Sequence, residues 1–150
     1  HGGGQERNMR AGTENVYGIV GFAKALELAT VNYETESNYI RGIKYYLMDQ
    51  LQQQLSDVSF NGDAAGRSNY TVLNVSLPKS EKSEMLLMNL DMAGICASGG
   101  SACTSGAQQN SHVIRAFNND PNRIPVRFSF SKYNTKEEVD VLVQKLKELI

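Results

Sequence analysis

The chain has 150 residues, and its 15 basic and 16 acidic side chains give a formal net charge of −1. With 41% hydrophobic and 21% charged residues, the composition is that of a folded domain rather than a disordered segment. The near-neutral charge argues against a nucleic-acid partner, and no apolar run approaches the roughly 20 residues that a membrane span needs.

The first third of the chain predicts a loop followed by a long helix. Residues 1–15 are rich in glycine and polar side chains and show no apolar period, which is typical of a loop. From residue 16 to residue 56, apolar side chains recur at helical spacing. This segment therefore predicts one long helix or two consecutive helices, with Asn15 as the N-cap.

Two strands and a helix are predicted in the middle of the chain. Residues 58–60 and 70–77 are β-rich and separated by turn residues, which predicts a pair of antiparallel strands closed by Pro78. Residues 84–93 predict a helix that ends at Gly94, because glycine readily adopts the left-handed conformation of a C-terminal cap.

A long loop is predicted between two short elements. Residues 95–98 are a candidate strand. Residues 99–110 contain no large apolar side chain and three glycines, which indicates an exposed and mobile loop. After this loop, Ser111 can cap a short helix that ends at Phe117.

The C-terminal part predicts a strand and a helix. Residues 126–131 alternate in polarity, which predicts a strand with Arg127 on the face opposite the apolar side chains. Thr135 and Glu138 have capping-box spacing and begin a final helix that runs to Ile150. The order of elements predicts an α+β fold, with helices packed on one face of a small mixed sheet.

The two cysteines differ in their sequence surroundings. Cys96 lies beside Ile95 in the candidate strand, so buried packing is preferred over reactivity. Cys103 lies in the middle of the 99–110 loop, which favours a reactive thiol over an incidental exposed cysteine. The four loop residues before Cys103 and the seven after it allow a reach of order 20 Å, which suits a thiol that collects a group and delivers it elsewhere. Two cysteines without a signal peptide also indicate a reducing, cytoplasmic setting.

Three further residues are candidates for ligand contacts or catalysis. The guanidinium of Arg127 suits a carboxylate, with a surface salt bridge as the alternative. Thr13, next to Gly12, could donate its hydroxyl to a phosphate oxygen. His112 is more typical of an exposed helical residue than of a hydrolase triad, and the cysteine and histidine spacing forms no metal site.

Three segments of the chain resemble the C-terminal part of cysteine desulfurases, pyridoxal-phosphate enzymes of the class-V aminotransferase group. These segments are GGGQERNMRAGTEN at 2–15, SGGSACTSG at 98–106 followed by SHVIRAF, and VRFSFSKYNTKEEVD at 126–140. The resemblance implies the small C-terminal domain of a fold type I enzyme. It also implies a homodimeric parent that converts L-cysteine to L-alanine and passes the sulfur, held as a persulfide, to an iron–sulfur scaffold or another acceptor protein.

The resemblance assigns a role to each candidate residue. Cys103 matches the cysteine that attacks the substrate sulfur and becomes the persulfide. Thr13 matches the threonine that binds the cofactor phosphate across the dimer, and Arg127 matches the arginine that pairs with the substrate carboxylate. The long loop is similar to the subgroup that feeds iron–sulfur scaffold proteins. Gly100 and the 108–110 stretch depart from the family pattern, which leaves the acceptor preference open.

The cofactor-attaching lysine of the family follows a histidine upstream of the GGGQE motif, and no lysine of this chain follows a histidine. We therefore expect residues 1–15 to belong with the large-domain and dimer region, 16–56 to form a connecting helix or helices, and 57–150 to form the small domain. The chain starts at His1 without a methionine and reads as part of a longer protein. We expect it to be inactive alone and not to hold pyridoxal phosphate tightly. The alternatives are a stand-alone persulfide carrier or docking module, and a selenocysteine lyase-like enzyme.

Overall fold

A computed structural model describes residues 2–99, 112–117 and 120–150. The chain forms two compact units, His1–Thr35 and Glu36–Ile150, and the division falls within the first helix.

Helix α1, Val16–Gln54, is one continuous helix, which settles the choice between one helix and two. The side chain of Asn15 accepts a hydrogen bond from the backbone N–H of Gly18 at 3.0 Å, so the predicted N-cap is confirmed. The loop before it contains one 3₁₀ turn, Glu6–Asn8. Within the His1–Thr35 unit, α1 carries several exposed large apolar side chains: Val16, Tyr17, Ile19, Val20, Phe22, Leu26, Leu28, Val31 and Tyr33.

The Glu36–Ile150 unit contains a three-stranded sheet in the order β1-β2-β3. Its strands are β1 (Ser59–Phe60), β2 (Val72–Pro78) and β3 (Arg123–Ser129). Both pairings are antiparallel, so the predicted β1–β2 pair is confirmed. The described sheet is antiparallel where a mixed sheet was expected. The reason is that the candidate strand at 95–98 forms only a single antiparallel bridge to β3 and adds no parallel neighbour.

Three helices accompany the sheet: α2 (Leu86–Met92), α3 (His112–Phe117) and α4 (Lys136–Leu149). A 3₁₀ turn, Glu81–Met85, precedes α2. After α2, Gly94 adopts a φ of 76°, as predicted for a left-handed cap. The N–H of Gly94 donates to the Asp91 carbonyl, and the N–H of Ile95 donates to the Leu90 carbonyl, both at 2.9 Å. This pair of bonds satisfies the carbonyls of Leu90 and Asp91 in the last turn of the helix.

The predicted capping box of α4 is confirmed. The side chain of Thr135 accepts from the backbone N–H of Glu138 at 3.3 Å, and the Glu138 carboxylate accepts from the Thr135 N–H at 3.1 Å. The Asn134 side chain also donates to this carboxylate at 3.1 Å. The Asn134 bond and then the Thr135 bond hold the pKa of Glu138 below its ordinary value. The N-terminus of α4 is thus fixed by groups on both sides of the helix start.

The core lies between one sheet face and three helices, as the predicted α+β class requires. Tyr46 on α1 donates to the Asp140 carboxylate on α4 at 2.8 Å, and this bond raises the pKa of the Tyr46 hydroxyl. No helix in the described ranges is long and apolar enough to cross a membrane. The buried core residues are Ile43, Leu47, Met48 and Leu51 of α1, Leu73, Val75, Leu77, Val126 and Phe128 of the sheet, Leu86 and Leu90 of α2, and Val139, Leu142, Val143 and Leu146 of α4.

Candidate functional site

The second face of the sheet is polar, because β2 and β3 alternate in residue type. In the register, Leu73 lies opposite Phe128 and Val75 lies opposite Val126, and all four side chains are buried in the core. The intervening residues point to the other face. On that face, the pair Asn74 and Arg127 is followed by Ser76 and Pro125, and Arg123 lies at the start of β3.

Arg123 on this polar face has a complete set of partners. Its Nε donates to the Ser76 hydroxyl at 3.0 Å, and its Nη2 donates to the Ser76 carbonyl at 2.5 Å and to the Ser59 hydroxyl at 3.0 Å. Its Nη1 donates to the Asp57 carbonyl at 2.7 Å and forms an ion pair with the Asp57 carboxylate at 2.8 Å. Arg123 therefore binds β3 to the first two strands and has a structural function.

Arg127, four residues later on the same face, is held differently. Its backbone N–H donates to the Ser98 carbonyl at 2.7 Å, and its carbonyl accepts from the Ser98 N–H at 3.1 Å. Its side chain is half-buried. Its Nε is buried and has no hydrogen-bond partner among the described residues. A buried guanidinium N–H without a hydrogen-bond partner is energetically unfavourable, so this nitrogen is a candidate donor to a ligand acceptor.

The bridge at Ser98 also fixes the start of the predicted 99–110 loop. Cys103 lies outside the described residues, so its position is not part of the described structure. Cys103 follows Ser98 by five positions in the sequence, which limits the distance between the two Cα atoms to about 18 Å for an extended chain. The segment that carries Cys103 therefore begins at the residue that is hydrogen-bonded to Arg127.

The prediction that Cys96 is buried is wrong: its side chain is exposed. The neighbours Ile95 and Ala97 pack against the core, so alternation turns Cys96 outward. Cys96 lines a cleft of about 560 Å³ whose walls include Phe128 and Leu142, and Arg127 is not among the lining residues.

Thr13 lies in a turn that hydrogen bonds hold on both sides. Gly12 has a φ of 98°, and its N–H donates to the side-chain oxygen of Gln5 at 3.2 Å. Arg10 donates to the Gly12 carbonyl at 3.3 Å and forms an ion pair with Glu14. The Thr13 side chain between them is exposed. Thr13 belongs to the His1–Thr35 unit, whereas Arg127 belongs to the Glu36–Ile150 unit.

One protein-family model matches nearly the whole chain. The model of the family described as aminotransferase class-V matches residues 3–142. The chain belongs to the class-V aminotransferase family. It is similar to a cysteine desulfurase IscS of Dictyoglomus turgidum, with 36% identity over 157 residues, covering 100% of this chain and 38% of that protein. It is also similar to a cysteine desulfurase of Trichormus azollae, with 39% identity over 151 residues, covering 99% of this chain and 37% of that protein.

Solved structures give the same result for this class-V aminotransferase chain. A structure titled NifS-like protein superposes with a TM-score of 0.76 at 33% identity, covering 99% of this chain and 37% of that one. The expected fold type I affiliation is thereby confirmed. The chain therefore spans only 37–38% of the length of these relatives.

Sequence reasoning missed two residues next to Arg127 in this class-V aminotransferase chain. Ser98 was assigned only to a candidate strand, and Asn74 only to the alternation of the second strand. The strand alternation could have identified Asn74, since it is a polar residue at an outward position of a central strand.

His112 is exposed at the start of α3. Ser111, the predicted N-cap of that helix, lies outside the described residues.

Proposed function

We propose that the chain is the C-terminal part of a pyridoxal-phosphate-dependent cysteine desulfurase. In this function the parent converts L-cysteine to L-alanine and passes the sulfur from Cys103 to an acceptor protein, with iron–sulfur scaffolds as the first candidates. Support comes from the family match and from relatives named cysteine desulfurase at 36–39% identity. The cytoplasm is the proposed location.

The observation that carries the proposal is the unpartnered Nε of Arg127. Arg123, on the same strand and face, makes a full set of bonds, so the polar face is able to satisfy an arginine. Arg127 lacks such a partner among the described residues. A carboxylate offers two acceptor oxygens that match the guanidinium fork. We assign Arg127 to the carboxylate of L-cysteine.

Cys103 supplies the nucleophile in this proposal. Its thiolate attacks the sulfur of bound L-cysteine, and a sulfur–sulfur bond forms. The carbon–sulfur bond breaks with its electron pair left on carbon, and a proton from solvent completes L-alanine. Pyridoxal phosphate, when bound, supplies the electron sink that weakens the carbon–sulfur bond. The Ser98 bridge starts the Cys103 segment beside the carboxylate-binding arginine.

The described residues fit the cofactor's phosphate but not its covalent attachment. The exposed Thr13 side chain, next to Gly12, whose N–H donates to the Gln5 side chain, is the proposed phosphate donor, reaching the cofactor of the partner subunit across a homodimer. Lys44 is buried and donates to the Ser68 hydroxyl at 2.7 Å and the Asn69 carbonyl at 3.1 Å. Burial lowers the pKa of Lys44, with Asp63 opposing the shift. Lys44 is thus committed to a loop contact, and no lysine follows a histidine.

The domain organisation follows from this assignment. We propose that residues 1–15 belong with a large cofactor-binding domain at the dimer interface. Residues 16–56 are then the connecting segment, and residues 57–150 form the small domain. The chain alone is then inactive. Mixing the purified chain with pyridoxal phosphate is expected to give no absorption band from covalently attached cofactor and no alanine from L-cysteine. Either signal would contradict this part of the proposal.

The activity is tested on the protein expressed with any residues encoded before His1. We expect alanine release from L-cysteine, loss of persulfide and of turnover in Cys103→Ser, and unchanged turnover in the matched control Cys96→Ser. A protein that releases no alanine but accepts a persulfide on Cys103 from a separate desulfurase is a carrier instead. Faster turnover of selenocysteine than of cysteine would assign it to the selenocysteine lyase-like enzymes.

A further inference from the structure

Asn74 lies directly opposite Arg127 in the β2–β3 register. The backbone N–H and carbonyl of Arg127 bond to Ser98, on the side of β3 away from β2. The carbonyl of Asn74 accepts from the Asn61 N–H at 2.9 Å, on the side of β2 away from β3. The two residues therefore form a non-hydrogen-bonded pair, the arrangement that brings facing side chains closest, with Cβ atoms about 4.5–5.5 Å apart.

The Asn74 amide has a defined orientation. Its Oδ1 accepts a hydrogen bond from Nδ2 of Asn61 at 2.7 Å. The acceptor end of the amide is thus in use, and the NH₂ end remains as a donor. Arginine has only donors, so Asn74 Nδ2 and Arg127 Nε are two neighbouring donors that cannot satisfy each other. Both can be satisfied by one acceptor-rich group such as a carboxylate.

We infer that Asn74 is a second hydrogen-bond donor for the carboxylate that Arg127 binds. The inference rests on the proposed function and extends it to substrate specificity. Arg127 supplies charge, while Asn74 supplies a neutral donor that recognises the second oxygen. Together they select amino acids with a free α-carboxylate over the corresponding amides. An amide has an NH₂ group in place of one carboxylate oxygen, and this donor would face the Asn74 and Arg127 donors without an acceptor between them.

The test uses nuclear magnetic resonance of the ¹⁵N-labelled protein expressed with any residues encoded before His1, in which Asn Nδ2 and Arg Nε protons are observed directly. The probes are L-alanine, which carries the carboxylate, and L-alaninamide, which lacks it. We expect the signals of Asn74 Nδ2 and Arg127 Nε to shift with L-alanine and to stay in place with L-alaninamide. Loss of one neutral hydrogen bond in Asn74→Ala is expected to weaken L-alanine binding by about 5- to 10-fold.

Two variants separate binding from folding. Asn74→Asp keeps the acceptor for Asn61 and places a carboxylate next to Arg127, so it is expected to fold, to raise the melting temperature and to abolish L-alanine binding. Ser129→Ala is the matched control, since Ser129 is exposed on the same face one pair along, opposite Val72. It is expected to bind L-alanine like the wild type.

The outcomes distinguish this inference from the proposed function. If Arg127 Nε shifts while Asn74 Nδ2 does not, and Asn74→Asp binds like the wild type, the role of Asn74 is refuted and that of Arg127 stands. If neither signal shifts in the wild type, the carboxylate site itself is refuted, and the inference falls with it.

Discussion

Replacing Arg127 with Met, an apolar side chain of similar length, is expected to stabilise the chain. The change removes a buried Nε that has no hydrogen-bond partner among the described residues. An unsatisfied buried donor costs about 1–3 kcal/mol, and the lower end applies here because Arg127 as a whole is only half-buried. We therefore expect Arg127→Met to increase the free energy of unfolding by about 1 kcal/mol.

Arg123→Met on the same strand is the matched comparison, and its effect has the opposite sign. It removes the donors to the Ser76 hydroxyl and carbonyl, and Ser76 is buried. Two buried acceptors without partners cost about 2–6 kcal/mol in total. The ion pair with Asp57 adds little, because the Asp57 side chain is 77% exposed.

Urea unfolding followed by far-ultraviolet circular dichroism measures both variants, and equal m values would show that the unfolding transition is unchanged. For a chain of this size, each kcal/mol shifts the melting temperature by about 2–4 °C. If Arg127→Met lowers stability as much as Arg123→Met, then Arg127 is a structural residue, and the argument from its unpartnered Nε is refuted.

Three further predictions concern the fold. Thr135→Ala removes the α4 cap and is expected to cost about 1 kcal/mol in urea unfolding, whereas Thr135→Ser retains most of it. The pKa of Glu138 is lowered in the folded state, so its stabilisation is full above the ordinary value and is lost as the pH falls below it. Glu138→Gln should therefore flatten the acid side of a stability–pH profile, and an unchanged profile would contradict this. Gly94→Ala is expected to cost about 1–2 kcal/mol in thermal unfolding because φ is 76°, and Gly94→Asn less; equal losses would argue against the left-handed cap.

Local patterns in the sequence predicted the elements that depend on neighbouring residues. The Asn15 cap, the Gly94 terminator and the Thr135–Glu138 capping box each involve groups within a few positions, and all three are present. The face of Arg127 followed from strand alternation alone. These features were predictable because the physical partners lie within one turn or one strand.

Features that depend on distant partners could not be predicted from the sequence. The exposure of Cys96 depends on Ile95 and Ala97 packing against a core built from other elements. The full pairing of Arg123 and the unpartnered Nε of Arg127 depend on residues more than 40 positions away, including Ser76. Two arginines on the same strand face therefore differ in their hydrogen-bond partners because of tertiary contacts alone.

The two hydrogen bonds between Ser98 and Arg127 anchor the residue that precedes the Cys103 segment to β3, an outer strand of the described sheet. Insertions or deletions between Gly99 and Cys103 would change the length of chain that joins Cys103 to the Ser98 bridge without moving Arg127. Under the proposed function, acceptor choice and substrate choice could then diverge independently among related proteins. An engineer could, on the same proposal, lengthen this segment to suit a new sulfur acceptor while leaving amino-acid recognition unchanged.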